Sequence, residues 1–436
     1  MKGITMIRLV SMLKRKPGTT HQEFLDYWFD IHGPLIRNCS AAKYVRRYEQ
    51  HAAVWPPAGS RHEPDFDGVT IQIFDSAEQG MRRFTGQEEG YIYARWGNPT
   101  ITEAEQKIAA LETFGTGKEA TTILHSSGMA AITTLMMSTL SQGDKILSHF
   151  SLYGGTDELV HRILPRFGVS ATIVDLRDLE KAEEALRADK QIKMVYLETP
   201  ANPTIQCVDI AALSALAKKY NCMVACDNTF ATPYLQQPFA LGADFIVHST
   251  TKFLNGHGTA IGGALVGVDI ERMRGPIFKF HKTTGANSNA FDAFLLVQGM
   301  KTLEVRMDRH CTNGERVAKF LSDHKNVAKV NYTGLPQHPD FAVAAKQMRH
   351  AGALLSFEVK GGLQGGINFM NKLNLCTRAV SLGTCDTLLS HPASMTHFSV
   401  PKEEKEKYGI TEGLIRMHVG IETVDDIIAD LEQALQ

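Results

Sequence analysis

Residues 223–258 read MVACDNTFATPYLQQPFALGADFIVHSTTKFLNGHG, and two apolar runs within this stretch decide the fold. Met223 to Cys226 runs into Asp227, and Phe245 to Val247 runs into His248, Ser249, Thr250, Thr251 and Lys252. Each run is short, continuous and bounded by polar residues, which predicts strands buried on both faces of a parallel sheet. The polar residues then fall at strand C-termini, the rim at which open α/β sheets bind ligands. Taken singly, Asp227 reads as a turn or cap residue and Lys252 as a solvated lysine.

Taken together, the residues point elsewhere. A carboxylate and a lysine delivered to one rim, with hydroxyls beside the lysine, suit a ligand carrying a basic ring nitrogen, an aldehyde and a phosphate. Pyridoxal phosphate has all three, and it demands a pyridinium partner and a Schiff-base lysine from its protein.

The bulk properties narrow the class. A chain of 436 residues is long enough for two or three domains and a large core. Its 46 Lys and Arg balance 47 Asp and Glu, which gives no electrostatic case for nucleic acid or an acidic membrane. Seven cysteines are scattered without a CxxC pair, as expected of free thiols in a reducing compartment, and no residue is assigned to a metal. MKGITMIRLV lacks the apolar core of a signal peptide, and no apolar run reaches the ~18 residues of a membrane span, so a soluble, cytoplasmic protein is expected.

Outward from the central stretch, helices and strands alternate from Gly90 to the C-terminus. GYIYARWGNPT leads into a predicted helix over 102–114, and TTILHSSGMAAITTLMM reads as a strand, a small-residue turn and a helix starting near Met129. Such a turn is either an ordinary βα connection or an anion site, because free N–H groups and the helix dipole converge there. Tyr153, in SHFSLYGGT, is either a packed loop aromatic or a ring that stacks on the cofactor and assists proton transfer. Strands are predicted over 193–197, 327–332, 354–359 and 414–419, a long helical stretch over 289–324, a helix over 367–375, and a last helix opened by Thr423.

The front of the chain differs. Residues 4–13 predict a strand, Thr20 and Glu23 form a capping-box pattern, and strands are expected over 44–49 and 69–74. RKPG, EFLDYW, HGP, VRRY and FDGVTIQIFDS make this opening resemble the EthD-type ferredoxin-like module over about residues 5–76, without the final helix and strand such modules usually carry.

From Gly90 onward the ordered set YxR, SSGM, LYGGT, ETPANP, DNTF, HSTTKFLNGHG, SHPASMTH and EGLIRMHVG closely resembles the Cys/Met-metabolism pyridoxal-phosphate enzymes, among them methionine γ-lyase, cystathionine γ-synthase and O-acetylhomoserine sulfhydrylase. The resemblance implies an α/β protein of the fold type I, aspartate-aminotransferase-like transferase class. It would have a partial EthD-type α+β module (1–76), a large domain with a mostly parallel sheet (77–300) and a smaller α+β domain (301–436). It also implies that Lys252 holds the aldehyde, Asp227 pairs with the ring nitrogen and Tyr153 stacks on the ring. Gly128, Met129, Ser249 and Thr251 would hold the phosphate, with Tyr93 and Arg95 reaching it from a neighbouring subunit, and Asn202 would sit near the ring hydroxyl. Ser381 and Arg416 would bind the substrate carboxylate, beside Val380. A homodimer with shared sites follows, usually doubled into a homotetramer.

Departures from the family patterns steer the expected reaction. Methionine γ-lyases typically have cysteine at the position of Gly155 and a Lys-Asp pair near His281 and Lys282, while cystathionine enzymes typically have glutamate at Val380. An apolar Val380 leaves a distal ammonium unmet. The expected activity is therefore γ-replacement, through a vinylglycine intermediate, on an activated L-homoserine such as O-acetyl-L-homoserine with a thiol or carbon nucleophile. The alternative is methionine γ-lyase activity, giving 2-oxobutanoate, ammonia and methanethiol. An alternative of another class is an assembly protein that acts through its EthD-like part.

Overall fold

The computed structural model describes residues 8–13, 20–32, 34, 45–52, 68–74, 81–83, 85, 87–88, 90–91, 93–395, 403, 405 and 409–436, and its contacts divide the chain into two units, Met1–Gly97 and Asn98–Gln436. In the first unit, β1 (Arg8–Leu13), β2 (Val45–Ala52) and β3 (Gly68–Phe74) form an antiparallel sheet in the order β1-β3-β2. Helix α1 (His21–Asp26) opens on the expected capping box: Thr20 Oγ1 accepts the Glu23 N–H, and the Glu23 carboxylate accepts the Thr20 N–H at 2.7 Å. The helix continues as a wider π-type turn, Tyr27–His32, with the Phe24 and Trp28 rings 5.3 Å apart. The RKPG motif, residues 15–18, lies outside the described residues.

The second unit is built on β4 (Thr121–His125), β5 (Lys145–Ser148), β6 (Ser170–Ile173), β7 (Ile192–Glu198), β8 (Met223–Asp227), β9 (Phe245–His248) and β10 (Gly263–Gly267), in the order β4-β10-β9-β8-β7-β5-β6. The pairs from β9 through β6 are parallel, and β10 runs antiparallel to both its neighbours. The apolar runs fill both faces, as successive side chains of a strand must. Ala225 and Val247 join Leu135 in one core, Val224 and Cys226 join Leu213 in a second, and Ile246 joins Ile108 and Leu296 in a third. Continuous hydrophobicity thus signals helices on both sides of the sheet.

A second sheet, in the order β11-β12-β15-β14-β13, consists of β11 (Val327–Asn331), β12 (Leu354–Val359), β13 (Thr377–Arg378), β14 (Leu388–Ser390) and β15 (Leu414–His418). Only the β13–β14 pair is parallel among its described pairs. Phe357, Ile415 and Met417 pack there against Leu321, Phe369 and Ile427.

Three predicted helices have different bounds, the one expected over 102–114 being Pro99–Thr113, capped by Asn98. The stretch 289–324 is two helices, Ala290–Met300 and Leu303–Asp323, with Thr302 outside helical geometry. At this break the Gly299 carbonyl accepts Arg306 Nη2 at 2.9 Å and Thr302 Oγ1 at 3.2 Å, while Arg306 Nη1 donates to the Phe253 carbonyl at 2.8 Å. The helix expected over 367–375 is Gly362–Lys372 instead. Asp430 draws the next residues into a loop by accepting the Asn374, Leu375 and Cys376 N–H groups at 2.8–3.0 Å. Among the described residues no helix is long and apolar enough to cross a membrane.

Candidate active site

The C-terminal ends of β4, β7, β8 and β9 face a cavity of about 790 Å³. Gly128, Met129, Tyr153, Asn202, Asp227, Ser249, Thr251, Lys252, Val380, Ser381 and Arg416 all line it. Tyr93 and Arg95 fall in the first unit, where the Arg95 guanidinium lies over the Tyr93 ring, 5.1 Å from its centroid.

The rim begins at the turn after β4. Ser127 caps the helix Gly128–Thr139, its Oγ accepting the Ala130 N–H at 3.1 Å. The first N–H groups of any helix have no intrahelical acceptor, so those of Gly128 and Met129 are donors for an anion. The turn is pressed against β9, and a Cβ on Gly128 would meet Ser249 Cβ at 2.8 Å. Ser249 is itself fixed, its N–H donating to Thr229 Oγ1 at 2.8 Å. Thr251 Oγ1 donates to the Gly262 carbonyl at 3.2 Å and accepts the Gly262 N–H at 3.0 Å.

Across the cavity stand a carboxylate and an amine. Asp227 Oδ1 accepts the Thr229 N–H at 3.0 Å, and the Tyr196 hydroxyl approaches Oδ2 at 3.5 Å. Burial raises the Asp227 pKa, against the lowering effect of Thr229 and of His248. His248 is held from behind, its Nε2 2.5 Å from Glu112 Oε1, with both side chains fully buried. The Lys252 amine has its pKa lowered by burial and then by the Arg416 guanidinium, which favours the neutral form that attacks carbonyls and takes protons.

Arg416 is 2% exposed on β15. Its Nη2 donates to the carbonyls of Val380 and Ser381 at 3.0 and 2.9 Å, so it holds the loop that carries both. Its Nε and the Oδ1 of Asn202 are buried without a hydrogen-bond partner among the described residues, two polar atoms that a ligand would satisfy. An anion cradle, a buried carboxylate, an amine of depressed pKa and a flanking tyrosine fit pyridoxal phosphate, and the orphaned Arg416 Nε suits a substrate carboxylate.

Several lining residues escaped the sequence reading. Glu198 ends the apolar run of β7 as Asp227 ends that of β8, a parallel that marks it in retrospect. Ile261 and Met395 line the cavity from loops with no periodic signal.

Comparison with known proteins gives the same reading. The family model described as Cys/Met metabolism PLP-dependent enzyme matches residues 57–436, and the EthD domain model matches residues 16–89. An L-methionine gamma-lyase of Fusobacterium nucleatum subsp. nucleatum is 49% identical over 365 residues, covering 84% of this chain and 91% of the relative. A cystathionine beta-lyase of Coxiella burnetii is 39% identical over 379 residues, covering 87% of this chain and 96% of the relative. The crystal structure of a cystathionine gamma synthase from Xanthomonas oryzae pv. oryzae, in complex with aminoacrylate and cysteine, superposes with a TM-score of 0.76 at 35% identity, covering 80% of this chain and 88% of that one.

Proposed function

This chain belongs to the Cys/Met metabolism PLP-dependent enzymes, and on that premise we propose that it eliminates the γ substituent of an L-amino acid bearing an apolar thioether, as in methionine. This reading reverses the preference drawn from the sequence alone, because methionine lyases stand among its similar relatives. The observation that carries it is the make-up of the cavity mouth. Val380 (57% exposed), Ile261 (66%) and Met395 (40%) are the exposed aliphatic residues of the lining, and they present a surface suited to a methyl thioether and not to a distal ammonium.

When bound, pyridoxal phosphate supplies an electron-withdrawing ring that stabilises the pair left by breaking the Cα–H bond. The residues around it divide the remaining work. Lys252 would hold the cofactor and, once displaced, take the Cα proton and move protons along the substrate. Asp227 would keep the ring nitrogen protonated. Gly128, Met129, Ser249 and Thr251 would bind the phosphate, and Asn202 the ring hydroxyl. Arg416 and Ser381 would orient the substrate carboxylate, while Tyr153 would donate a proton to the departing sulfur. Methionine and water then give 2-oxobutanoate, ammonia and methanethiol. Tyr93 and Arg95 would complete the phosphate site of a second copy, making a homodimer the active unit and a homotetramer its doubled form.

A second reading, γ-replacement on O-acetyl-L-homoserine with a thiol or carbon nucleophile, is favoured by Gly155. A Cβ at Gly155 would meet Tyr153 Cε1 at 2.7 Å and Met129 Sδ at 3.0 Å, so the cysteine typical of methionine γ-lyases requires a different tyrosine position. The purified enzyme is offered L-methionine, or O-acetyl-L-homoserine with and without a thiol, and products are followed by mass spectrometry. Acceptor-independent 2-oxobutanoate and methanethiol from methionine are expected. No methionine turnover, together with a thioether formed from O-acetylhomoserine and thiol, would hand the assignment to the second reading.

A further inference from the structure

Among the described residues of the cavity lining, Glu198 is the one carboxylate to which the proposed chemistry gives no task. It closes β7 directly beside Asp227 in the parallel ladder, and it is only 6% exposed. Two acidic side chains at adjacent positions of a buried rim are costly, and burial together with the charge of Asp227 pushes the Glu198 carboxyl up. A compensating use is visible in its contacts. Glu198 Oε2 accepts the Tyr153 N–H at 2.7 Å, and Oε1 accepts the Asn202 N–H at 3.1 Å.

Those two amides belong to separate loops, one following β5 and one following β7, and each loop brings a side chain to the cavity. The same loops are otherwise linked through side chains, His149 Nε2 with Gln206 Oε1 at 2.8 Å, Ser151 Oγ to the Asn202 carbonyl at 3.5 Å and Ser151 Oγ to Thr204 Oγ1 at 3.3 Å. Bridging two N–H groups takes two acceptors on one rigid group, which a carboxylate has and an amide lacks. Among the described contacts, Glu198 is the side chain that joins the backbones of the two cavity-lining residues themselves, Tyr153 and Asn202.

We propose that Glu198 is a positioning residue: its carboxylate ties the backbone at Tyr153 to that at Asn202 and so fixes the separation of their side chains within the cavity. Its importance for turnover rests on the proposed roles of Tyr153 and Asn202, whereas the tie itself does not.

The test has two arms that fail independently. In the first, hydrogen–deuterium exchange is measured on the full-length chain for wild type, Glu198→Gln and Glu198→Asp. Glu198→Gln turns an NH₂ toward one of the two amides, and exchange at Tyr153 or Asn202 should accelerate on the order of tenfold or more, while β12 amides keep their rates. Glu198→Asp is one methylene too short to span both and should release one amide, which keeps the test alive if the glutamine variant fails to fold. Unchanged exchange at both amides in a folded variant overturns the tie.

In the second arm, Glu198→Gln is combined with Tyr153→Phe, and both kcat and pyridoxal phosphate affinity are measured. If Glu198 acts through the Tyr153 loop, its substitution lowers kcat on the order of tenfold in the parent and far less in the Tyr153→Phe background. Equal losses in both backgrounds overturn positioning through Tyr153. Absence of any turnover by the parent enzyme counts against the proposed reaction, and the exchange arm still decides the tie.

Discussion

Arg416 offers the sharpest test of how the site recognises an amino acid. One terminal nitrogen, Nη2, is spent on the Val380 and Ser381 carbonyls, and Nε is left without a partner. Burial pushes the guanidinium pKa down to about 10, so the group still carries its charge at neutral pH. A charge-assisted hydrogen bond contributes about 1.5–3 kcal/mol, and ~1.4 kcal/mol is a factor of ten. Arg416→Lys keeps the charge but cannot both hold the loop and grip a carboxylate through a planar fork, so one such bond is lost. The expected fall in kcat/KM is about 10- to 150-fold. A carboxylate held there would be bound alike in ground and transition states, so most of this loss should fall in KM. Arg416→Met, which also removes the charge, should lose more. Initial rates of 2-oxobutanoate release over a range of methionine concentrations measure both constants. A kcat/KM within twofold of wild type for Arg416→Met would remove Arg416 from substrate binding and refute the reasoning.

Three further outcomes are expected. Lys252→Ala should abolish the visible absorbance band of covalently held pyridoxal phosphate, and a retained band would put the covalent link on another residue. Gly128→Ala sets a methyl 2.8 Å from Ser249 Cβ; it should destabilise the fold by about 1–3 kcal/mol and weaken cofactor binding, as read from thermal melts and spectroscopic titration. Glu105, which accepts the Leu124 N–H at 2.9 Å, has its pKa raised by burial to about 7. Unfolded, it loses its proton near 4.5, so between these values the folded state holds a proton that the unfolded state does not. Its contribution is therefore fully present below pH 4.5 and is lost as pH rises through 7, with a slope of up to about 1.4 kcal/mol per pH unit. Glu105→Gln should flatten that part of the stability curve and make the variant the more stable protein at pH 8; identical curves from urea melts would refute this.

The elements read correctly from the sequence are those whose pattern is local and whose burial is symmetric. β8 and β9 are continuous apolar runs because helices cover both faces, and their polar ends mark the rim. The Thr20–Glu23 box places α1 because the cap is a contact between residues three apart. What the sequence hides is set by distant partners. The break at Thr302 coincides with Arg306 reaching the Phe253 carbonyl, 53 positions away, and the helix that ends at Lys372 is followed by a loop held by Asp430, both invisible to periodicity. Glu112 and His248 lie 136 positions apart and meet only once α/β packing is complete. Ile261 and Met395 become part of the cavity through loop placement alone.

The antiparallel strand β10 has a consequence for the order in which a growing polypeptide becomes competent. β4 lies at the sheet edge with β10 as its sheet neighbour, so the turn at Gly128 docks only after every other strand of that sheet has been synthesised. The guanidinium of Arg416 arrives later still, on the last strand of the chain. Long-range pairing of this kind is slow. A chain cut short of β15 therefore holds Asp227 and Lys252 on the completed large sheet but lacks the guanidinium that faces them across the cavity.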